Sequence, residues 1–195
     1  MSEKTEDRRI RKTKNAIRDV FAELLQTKPL NKITVREITE KADINRGTFY
    51  KHYLDVYDLY DKTEQDILIE TGMLVLRLAE LPSDQFFTSL IDFVDENHSL
   101  FRLLFSPNSS GPLREKFYKC FEGLFRQIES EKRNTDINDI RLKYQTSYRS
   151  QGCIAVINTW VADSFAQPKE LIADIISELD TNTAKITGTG SPRLR

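Results

Sequence analysis

Residues 32–61 contain two short helical segments that lie almost back to back, and they constrain the fold more than any other part of the chain. Thr34-Val35-Arg36-Glu37 has the pattern of a capping box, in which the Thr hydroxyl and the Glu carboxylate satisfy each other's free backbone amides. Asp43 marks a tight turn, because Asp tolerates a left-handed backbone better than most residues. Asn45 has the chemistry of an N-cap. The segment therefore predicts two capped helices separated by a turn.

The second of these helices is too short for a core helix, yet it concentrates hydrogen-bond donors. We expect it to run from Asn45 to about Tyr53, with Ile44 and Phe49 as its apolar anchors. A helix-turn-helix places the amino-terminal part of its second helix in the major groove of DNA. The candidate DNA-binding residues are Thr34, Arg36, Asn45, Arg46, Gly47, Thr48, Tyr50, Lys51, His52 and Tyr53.

Within this second helix the residues are expected to divide their roles. Arg46 is the best candidate for a base contact, and Gly47 allows the backbone to approach DNA closely. Thr48 offers a hydroxyl to a phosphate or a methyl group to thymine. Residues 50–53 are expected to hold the phosphate backbone, which gives position rather than sequence reading. Packing of Tyr53 in the core is an equal alternative.

The remaining candidates lie at helix ends or on the first helix of the motif. Thr34, at a helix amino terminus, can present its hydroxyl and amide to a phosphate. Arg36, in the first turn of the same helix, is expected on the side that faces DNA and can bind a guanine edge or a phosphate. For Asn45, the alternative to a DNA contact is that its side chain only caps the helix.

The rest of the chain has the pattern of helices. With 7 Gly and 6 Pro in 195 residues, and long stretches that lack both, we expect an all-α fold. Apolar residues at helical spacing predict helices over residues 8–26, 56–81, 84–96, 98–105, 113–133, 137–163 and 170–180. We expect a three-helix DNA-binding head at residues 1–55, a helical-bundle regulatory and dimerisation body at 56–181, and a flexible tail at 182–195.

The charge distribution agrees with a DNA-reading head. Residues 1–62 carry 14 Lys and Arg against 11 Asp and Glu, whereas residues 63–195 carry 15 against 19. The net charge of −1 argues against a general polyanion binder, but a basic amino end on an acidic body is typical of a DNA-binding head on a separate scaffold.

Several other classes of function are not expected. Residues 1–14 show no cleavable signal, and no apolar run approaches the ~20 residues of a membrane span, so the protein is expected to be cytoplasmic without a membrane partner. Cys120 and Cys153 are expected to be free thiols. His52 and His98 are the only histidines and lie far apart, which disfavours a metal site. We predict no cofactor and, without a nucleophile–base pairing or a glycine-rich phosphate loop, no enzyme.

Residues 33–59 resemble the DNA-binding domain of the TetR family of bacterial regulators, through TVREITEKA, NRGTFYKHY and the following DL. The resemblance implies a homodimer, a three-helix head joined to a long fourth helix, and a divergent ligand-binding body. It implies that the chain binds a double-stranded DNA operator and represses transcription until a small molecule binds. Two positions depart from the family pattern. Asp43 replaces the usual turn glycine, and Val56 replaces a lysine that contacts phosphate, so that this contact is lost or shifts to Lys51 or Lys62.

The body has a shorter resemblance. Tyr148 to Val161 (YRSQGCIAVINTWV) is similar to the carboxyl-terminal domain of a TetR branch that includes regulators and co-activators of dihydroxyacetone kinase operons. Gly152 and Ala155 would let helices approach at a dimer seam. The final two helices would then form a four-helix interface between subunits, with Trp160 as an anchor. The alternative for Trp160 is a place in the core of its own subunit.

Phenylalanine is abundant in the body, and a pocket lined by aromatic residues is the default hypothesis for a sensor. We name His98, Arg102, Phe121, Tyr144 and Tyr148 as candidate ligand-binding residues. The alternative is that aromatic residues at helical spacing form the core. The expected function is a homodimeric, ligand-released repressor; the alternative is a co-activator whose body binds a kinase-like protein partner.

Overall fold

The computed structural model of the chain describes residues 3–81, 83–109 and 111–188. Within these ranges every regular element is helical, which confirms the predicted all-α fold. A short 3-10 helix (Leu30–Lys32) follows the first α-helix. The α-helices are α1 (Glu3–Thr27), α2 (Val35–Lys41), α3 (Arg46–Tyr50), α4 (Val56–Ala79), α5 (Ser83–Glu96), α6 (His98–Phe105), α7 (Gly111–Arg133), α8 (Ile140–Ala162) and α9 (Lys169–Gly188).

The helices form two compact units. One unit consists of Met1–Ile69 and Asn97–Glu115, and the other of Glu70–Glu96 and Lys116–Arg195. The first unit therefore contains α6 in addition to the predicted head of residues 1–55. The predicted division at residue 55 remains an interpretation of the sequence.

The first unit has its core between α1, the helix-turn-helix and α6. The apolar stripe of α1 is fully buried at Ile17, Phe21 and Leu25, as its helical spacing predicts. Ile38 of α2 and Phe49 of α3 are fully buried as well. Because these two anchors have no exposed surface, α2 and α3 are held in a fixed orientation on α1.

The second unit is built from α5, α8 and α9 together with the end of α4 and most of α7. Three rings of α7 are stacked along one helix face, with 6.1 Å between the ring centroids of Phe117 and Phe121 and 6.4 Å between those of Phe121 and Phe125. The guanidinium carbon of Arg149 lies 5.1 Å from the centroid of the Phe125 ring. The phenylalanines of α7 thus form an aromatic ladder within the core.

Helix boundaries differ from the predicted ones where local chemistry was missed. α8 begins at Ile140 rather than at residue 137, because Asp139 is its N-cap and accepts a hydrogen bond of 2.8 Å from the Leu142 amide. α9 continues to Gly188, so the predicted tail is helical from residue 182 to 188; residues 184–188 have helix-compatible sequence without proline. The rest of the predicted tail, residues 189–195, lies outside the described residues.

The turn between α8 and α9 contains two consecutive left-handed residues that are not glycine. Ser164 has φ 57° and Phe165 has φ 59°, a conformation that is unfavourable for a bulky residue. The ring of Phe165 packs edge-on against Trp160 at 5.0 Å, and Trp160 Nε1 donates a hydrogen bond of 2.9 Å to the Gln167 carbonyl. These contacts of Trp160 hold the turn in place.

Candidate DNA-binding site

The first helix of the motif begins at the predicted capping box. The Glu37 amide donates to Thr34 Oγ1 at 3.2 Å, and the Thr34 amide donates to Glu37 Oε2 at 3.1 Å. Lys28 forms an ion pair with the same carboxylate. The hydrogen bond from Lys28, and after it those from Thr34, lower the pKa of Glu37. Thr34 is exposed, so its hydroxyl fixes the start of α2 and still faces solvent.

The turn between the two helices also has the predicted chemistry. Asp43 adopts the left-handed conformation with φ 52°, where the side chain of Asp is tolerated. Asn45 is the N-cap of α3, and its Oδ1 accepts a hydrogen bond of 2.8 Å from the Gly47 amide. The orientation of α3 is thus set by the Asn45 cap at its start and by buried Phe49.

The first turn of α3 faces solvent. Arg46 and Gly47 are exposed and Thr48 is half-buried. Within the described part of the chain, the Arg46 guanidinium has no hydrogen-bond or ion-pair partner. A Cβ atom placed on Gly47 would lie 3.4 Å from Asn45 Oδ1, so the folded chain has room for alanine at this position.

The second turn of α3 and the residues after it divide between surface and core. Tyr50 is 56% exposed and its ring lies edge-on against Phe49, and Lys51 is exposed. Tyr53 is only 4% exposed, and burial raises the pKa of its hydroxyl. The structure therefore places Tyr53 in the core, the alternative left open by the sequence.

Positive charge surrounds the end of α3. His52 is half-buried, and burial lowers its pKa, with smaller contributions from the charges of Lys14 and Lys51. Arg36 is exposed, but its Nε donates to Glu40 Oε1 at 2.6 Å. That hydrogen bond is the main cause of the raised pKa of Arg36. Arg36 is therefore paired in the free protein, unlike Arg46.

The candidate ligand-binding residues are not brought together within one compact unit. His98 and Arg102 lie on α6 of the first unit, whereas the other three lie in the second. Phe121 is buried within the aromatic ladder. Tyr144 and Tyr148 are 67% and 69% exposed on α8. Phe121 thus has a core role, and the two tyrosines belong to the surface.

Tyr144 and Tyr148 line a groove of about 590 Å³ between α8 and α9. Gly152 and Ala155, the residues predicted for a dimer seam, line the same groove and are exposed. Trp160 is not part of this surface, because it is 2% exposed and packs within its own chain. The prediction that Trp160 anchors a dimer is corrected accordingly, since its ring contacts Phe165 and its indole N–H is satisfied internally.

Comparison with known proteins places the chain in a family. The model of a TetR-type "Transcriptional regulator C-terminal region" matches residues 83–182, and the model of "Bacterial regulatory proteins, tetR family" matches residues 17–61. The chain belongs to the TetR family. It is a transcriptional regulator of this family with an amino-terminal helix-turn-helix and a helical carboxyl-terminal region.

Individual TetR-type relatives are distant. The chain is 24% identical over 173 residues to the uncharacterised HTH-type transcriptional regulator YxbF of Bacillus subtilis (strain 168), and the match covers 84% of this chain and 43% of that protein. The chain thus spans less than half the length of this relative. A solved structure of the dihydroxyacetone kinase operon activator DhaS has 18% identity and a TM-score of 0.57, covering 89% of this chain and 97% of that one. The transcriptional regulator FadR from Bacillus subtilis, solved in complex with stearoyl-CoA, has 15% identity and a TM-score of 0.60, with 86% and 97% covered.

The two departures from the TetR pattern have a structural basis. Asp43 adopts the left-handed turn that the family's glycine provides. Val56 is 6% exposed and contributes to the core at the start of α4. Lys62 Nζ donates to Asp58 Oδ2 at 2.9 Å and to the His52 carbonyl at 3.2 Å. Lys62 is therefore partly engaged within the protein, whereas Lys51 is exposed.

Sequence reasoning missed an exposed apolar stripe on α9. Leu171, Ile175 and Leu179 recur at four-residue spacing and are all exposed, while Ile172 and Ile176 of the same helix are buried. The signal was present in the sequence, because ELIADIISEL has apolar residues on two faces rather than one. None of the helices in the described ranges has the length and apolar character that a bilayer crossing requires.

Proposed function

We propose that this TetR-family chain is a homodimeric transcriptional repressor that binds a two-fold symmetric operator through α3 and dissociates from it when a small molecule binds. The observation that carries the proposal is the first turn of α3, where exposed Arg46 stands next to exposed Gly47 on a helix fixed by the Asn45 cap. This arrangement supports a base-reading helix rather than a packing helix.

Arg46 is proposed to bind a guanine edge in the major groove. In helix-turn-helix proteins the amino-terminal residues of the second helix contact base edges, and an arginine can bind guanine O6 and N7 with two hydrogen bonds. No internal ion pair of Arg46 has to be broken for this contact. Arg36 would first have to leave Glu40, so we expect its contribution to operator affinity to be smaller.

Other residues of the motif that are exposed or half-buried are proposed to bind phosphates. Hydrogen-bond donors lie on or next to α2 and α3 at Thr34, Thr48, Tyr50, Lys51 and His52. Such contacts fix the register of a protein on the duplex without reading its sequence. Asn45 is proposed to act through its cap and Tyr53 through core packing, because both side chains are engaged within the protein.

We propose that two copies pair through the exposed apolar faces of α8 and α9. Large apolar or aromatic side chains are exposed on both helices: Tyr144, Tyr148, Leu171, Ile175 and Leu179. Gly152 and Ala155 add small exposed residues on α8 that permit close approach of a second backbone. An apolar surface of this kind on a soluble protein marks an interaction site, and a two-fold axis lets one surface cover its own copy.

Release of the regulator from its operator by a small molecule is typical of the TetR family. This part of the proposal rests on that family pattern. A co-activator role with a kinase-like protein partner was the second interpretation of the sequence. The likeness to DhaS, at 18% identity, reflects a shared fold alone and gives that role no further weight. The sign of regulation is tested by a reporter placed under a promoter that the protein binds. Deletion of the regulator should raise expression, and a fall in expression would contradict repression.

The reading helix is tested by selecting genomic fragments that the purified protein binds. We expect Arg46→Ala to weaken binding to a selected fragment by about 1–3 kcal/mol, the value of one two-hydrogen-bond contact, and to leave binding to a random-sequence duplex nearly unchanged. Arg77→Ala is the matched control, because Arg77 is exposed on α4 and donates only to the Met73 carbonyl of its own helix. Undiminished binding of the selected fragment by Arg46→Ala would disprove the assignment.

A further inference from the structure

The amino-terminal half of α1 carries a dense positive charge that the helix-turn-helix does not use. The helix is continuous from Glu3 to Thr27, and it begins well before residue 17, where the match to the TetR head starts. Residues 8–14 contain five Lys or Arg and no Asp or Glu. All five are exposed: Arg8, Arg9, Arg11, Lys12 and Lys14. Like charges at this density on one helix are unfavourable in the free protein.

This basic segment shares its electrostatic surroundings with the recognition helix. Lys14 lies close enough to His52 for its charge to oppose protonation of the imidazole, as Lys51 does from α3 itself. All three residues belong to the same compact unit. Lys14, at the carboxyl end of the basic segment, therefore adds its charge to the end of α3 that is proposed to bind phosphates, and the two form one positively charged region.

Helical geometry shows which of the basic residues continue this region. Residues three or four apart lie on the same side of a helix. Arg11 is three residues before Lys14, and Arg8 is three residues before Arg11. Arg9 is rotated from Arg11 by about 160° around the helix axis, and Lys12 is rotated from Lys14 by the same angle. Arg8, Arg11 and Lys14 thus share one side, whereas Arg9 and Lys12 lie outside it.

We propose that the side of α1 formed by Arg8, Arg11 and Lys14 is a second DNA-binding surface, which binds the phosphates of the duplex that flank each half-site. The proposal rests on operator binding by the helix-turn-helix and extends its footprint. From Lys14 to Arg8 the helix rises about 9 Å, a length that spans roughly two to three phosphates of one strand at about 3.4 Å each. Binding there relieves the mutual repulsion of the cations.

The matched pair Arg11→Gln and Arg9→Gln tests the surface. Each variant removes one charge from the same segment, but on opposite sides of the helix. Binding to a selected genomic fragment is measured over a series of salt concentrations, where each lost phosphate contact lowers the slope of log K against log salt by about 0.9. We expect Arg11→Gln to make the slope shallower by about 0.9, the value of one phosphate contact, and to weaken binding several-fold at low salt. Arg9→Gln should change the slope and the affinity little. Equal effects of the two variants would overturn the proposal, because they would show a general charge effect.

The length of the duplex provides a second test. In a shortened duplex, the roughly three base pairs that flank each half-site are removed, and with them the phosphates assigned to α1. We expect this trimming to weaken binding by the native chain and to have little effect on Arg8→Gln/Arg11→Gln/Lys14→Gln. If the native chain binds the trimmed and untrimmed duplexes equally, the surface does not contact flanking DNA.

These outcomes are separable from the fate of the proposed function. If the native chain shows no sequence-selective binding, operator recognition itself fails. If Arg46→Ala reduces selectivity while Arg11→Gln retains the native affinity and salt slope, the helix-turn-helix reads DNA and only the second surface is disproved.

Discussion

The hydroxyl of Ser106 donates a hydrogen bond of 2.7 Å to the carbonyl oxygen of Leu25, which lies 81 residues earlier in the chain. Asn108 Nδ2 donates to the same oxygen at 2.8 Å, and the Asn108 amide donates to Ser106 Oγ at 3.1 Å. Leu25 is in the last turn of α1, where carbonyl groups have no partner within the helix. The turn after α6 therefore caps α1, the helix on which the helix-turn-helix packs.

Removing this cap should lower the stability of the chain. Ser106 is fully buried. Ser106→Ala removes the acceptor of the part-buried Asn108 backbone amide and one of the two side-chain donors to the Leu25 carbonyl. We expect the free energy of unfolding to fall by about 1–3 kcal/mol, measured by urea denaturation at one protein concentration. Thr13→Ala is the control, because the exposed Thr13 hydroxyl donates only to the Arg9 carbonyl of its own helix, and its effect should stay within about 0.5 kcal/mol.

Gly47 should separate the demands of folding from those of DNA binding. A glycine inside a helix costs up to about 1 kcal/mol relative to alanine, and the structure has room for the added methyl group. We expect Gly47→Ala to keep or raise the melting temperature and to weaken operator binding at least several-fold, because the methyl group would hold the backbone away from DNA. Gly123→Ala on α7 is the matched control, since a Cβ atom there meets nothing within 4 Å. It should stabilise the chain without changing operator binding. Native affinity of Gly47→Ala would show that the glycine is not needed for close approach.

Local chemistry explains which parts of the fold could be predicted from sequence. The Thr34–Glu37 capping box and the Asn45 cap depend on residues two or three positions apart, so the pattern of the chain was sufficient to place them. The left-handed turn at Asp43 is equally local. These short-range features set the start of α2 and of α3, and with them the site at Arg46.

Features that depend on distant parts of the chain were not predictable. Nothing near Ser106 in the sequence indicates that it caps α1, because its partner is 81 residues away. Trp160 was assigned to two roles, and only the fold shows that the indole N–H reaches Gln167 and that the ring is internal. Apolar spacing identifies the sides of a helix but does not show what covers each side. For this reason the sequence could not show that Tyr144 and Tyr148 line an open groove between α8 and α9, on an exposed face and apart from buried Phe121.

The proposed dimer face can be tested with charges placed on α9. Ile175 and Leu179 are exposed in the single chain, so Ile175→Glu/Leu179→Glu should fold as the native chain does. In a dimer the same substitutions would bury two carboxylates per chain, which is strongly unfavourable. We expect sedimentation velocity to show a dimer for the native chain and a monomer for the variant, together with weaker operator binding, because the two heads would no longer bind as a linked pair.

The control for this experiment is Ile137→Glu. Ile137 is exposed as well, but it precedes α8 and does not line the groove between α8 and α9. The Ile137→Glu variant should remain dimeric. A dimer that survives both substitutions on α9 would show that the chains pair through another surface.

Arg149 joins three helices of the second unit through ion pairs with little exposure. Its Nε donates to Asp180 Oδ1 at 2.6 Å and its Nη1 to Glu129 Oε2 at 2.8 Å, so α8 is tied to α9 and α7. Burial lowers the pKa of Arg149, but the two carboxylates outweigh this effect and the pKa is raised overall. Removing one partner of a buried pair leaves uncompensated charge, which typically costs 3–5 kcal/mol.

We therefore expect Arg149→Ala to lower the free energy of unfolding by about 3–5 kcal/mol, part of it through the lost stacking on Phe125. Arg133→Ala is the matched control, because Arg133 binds the same carboxylate of Glu129 at 2.6 Å from a more exposed position. Exposed pairs contribute about 0–1 kcal/mol, so urea denaturation should show a small change for this variant. Equal destabilisation by the two variants would mean that burial does not set the strength of the Arg149 network, and that the helices are held mainly by their apolar contacts.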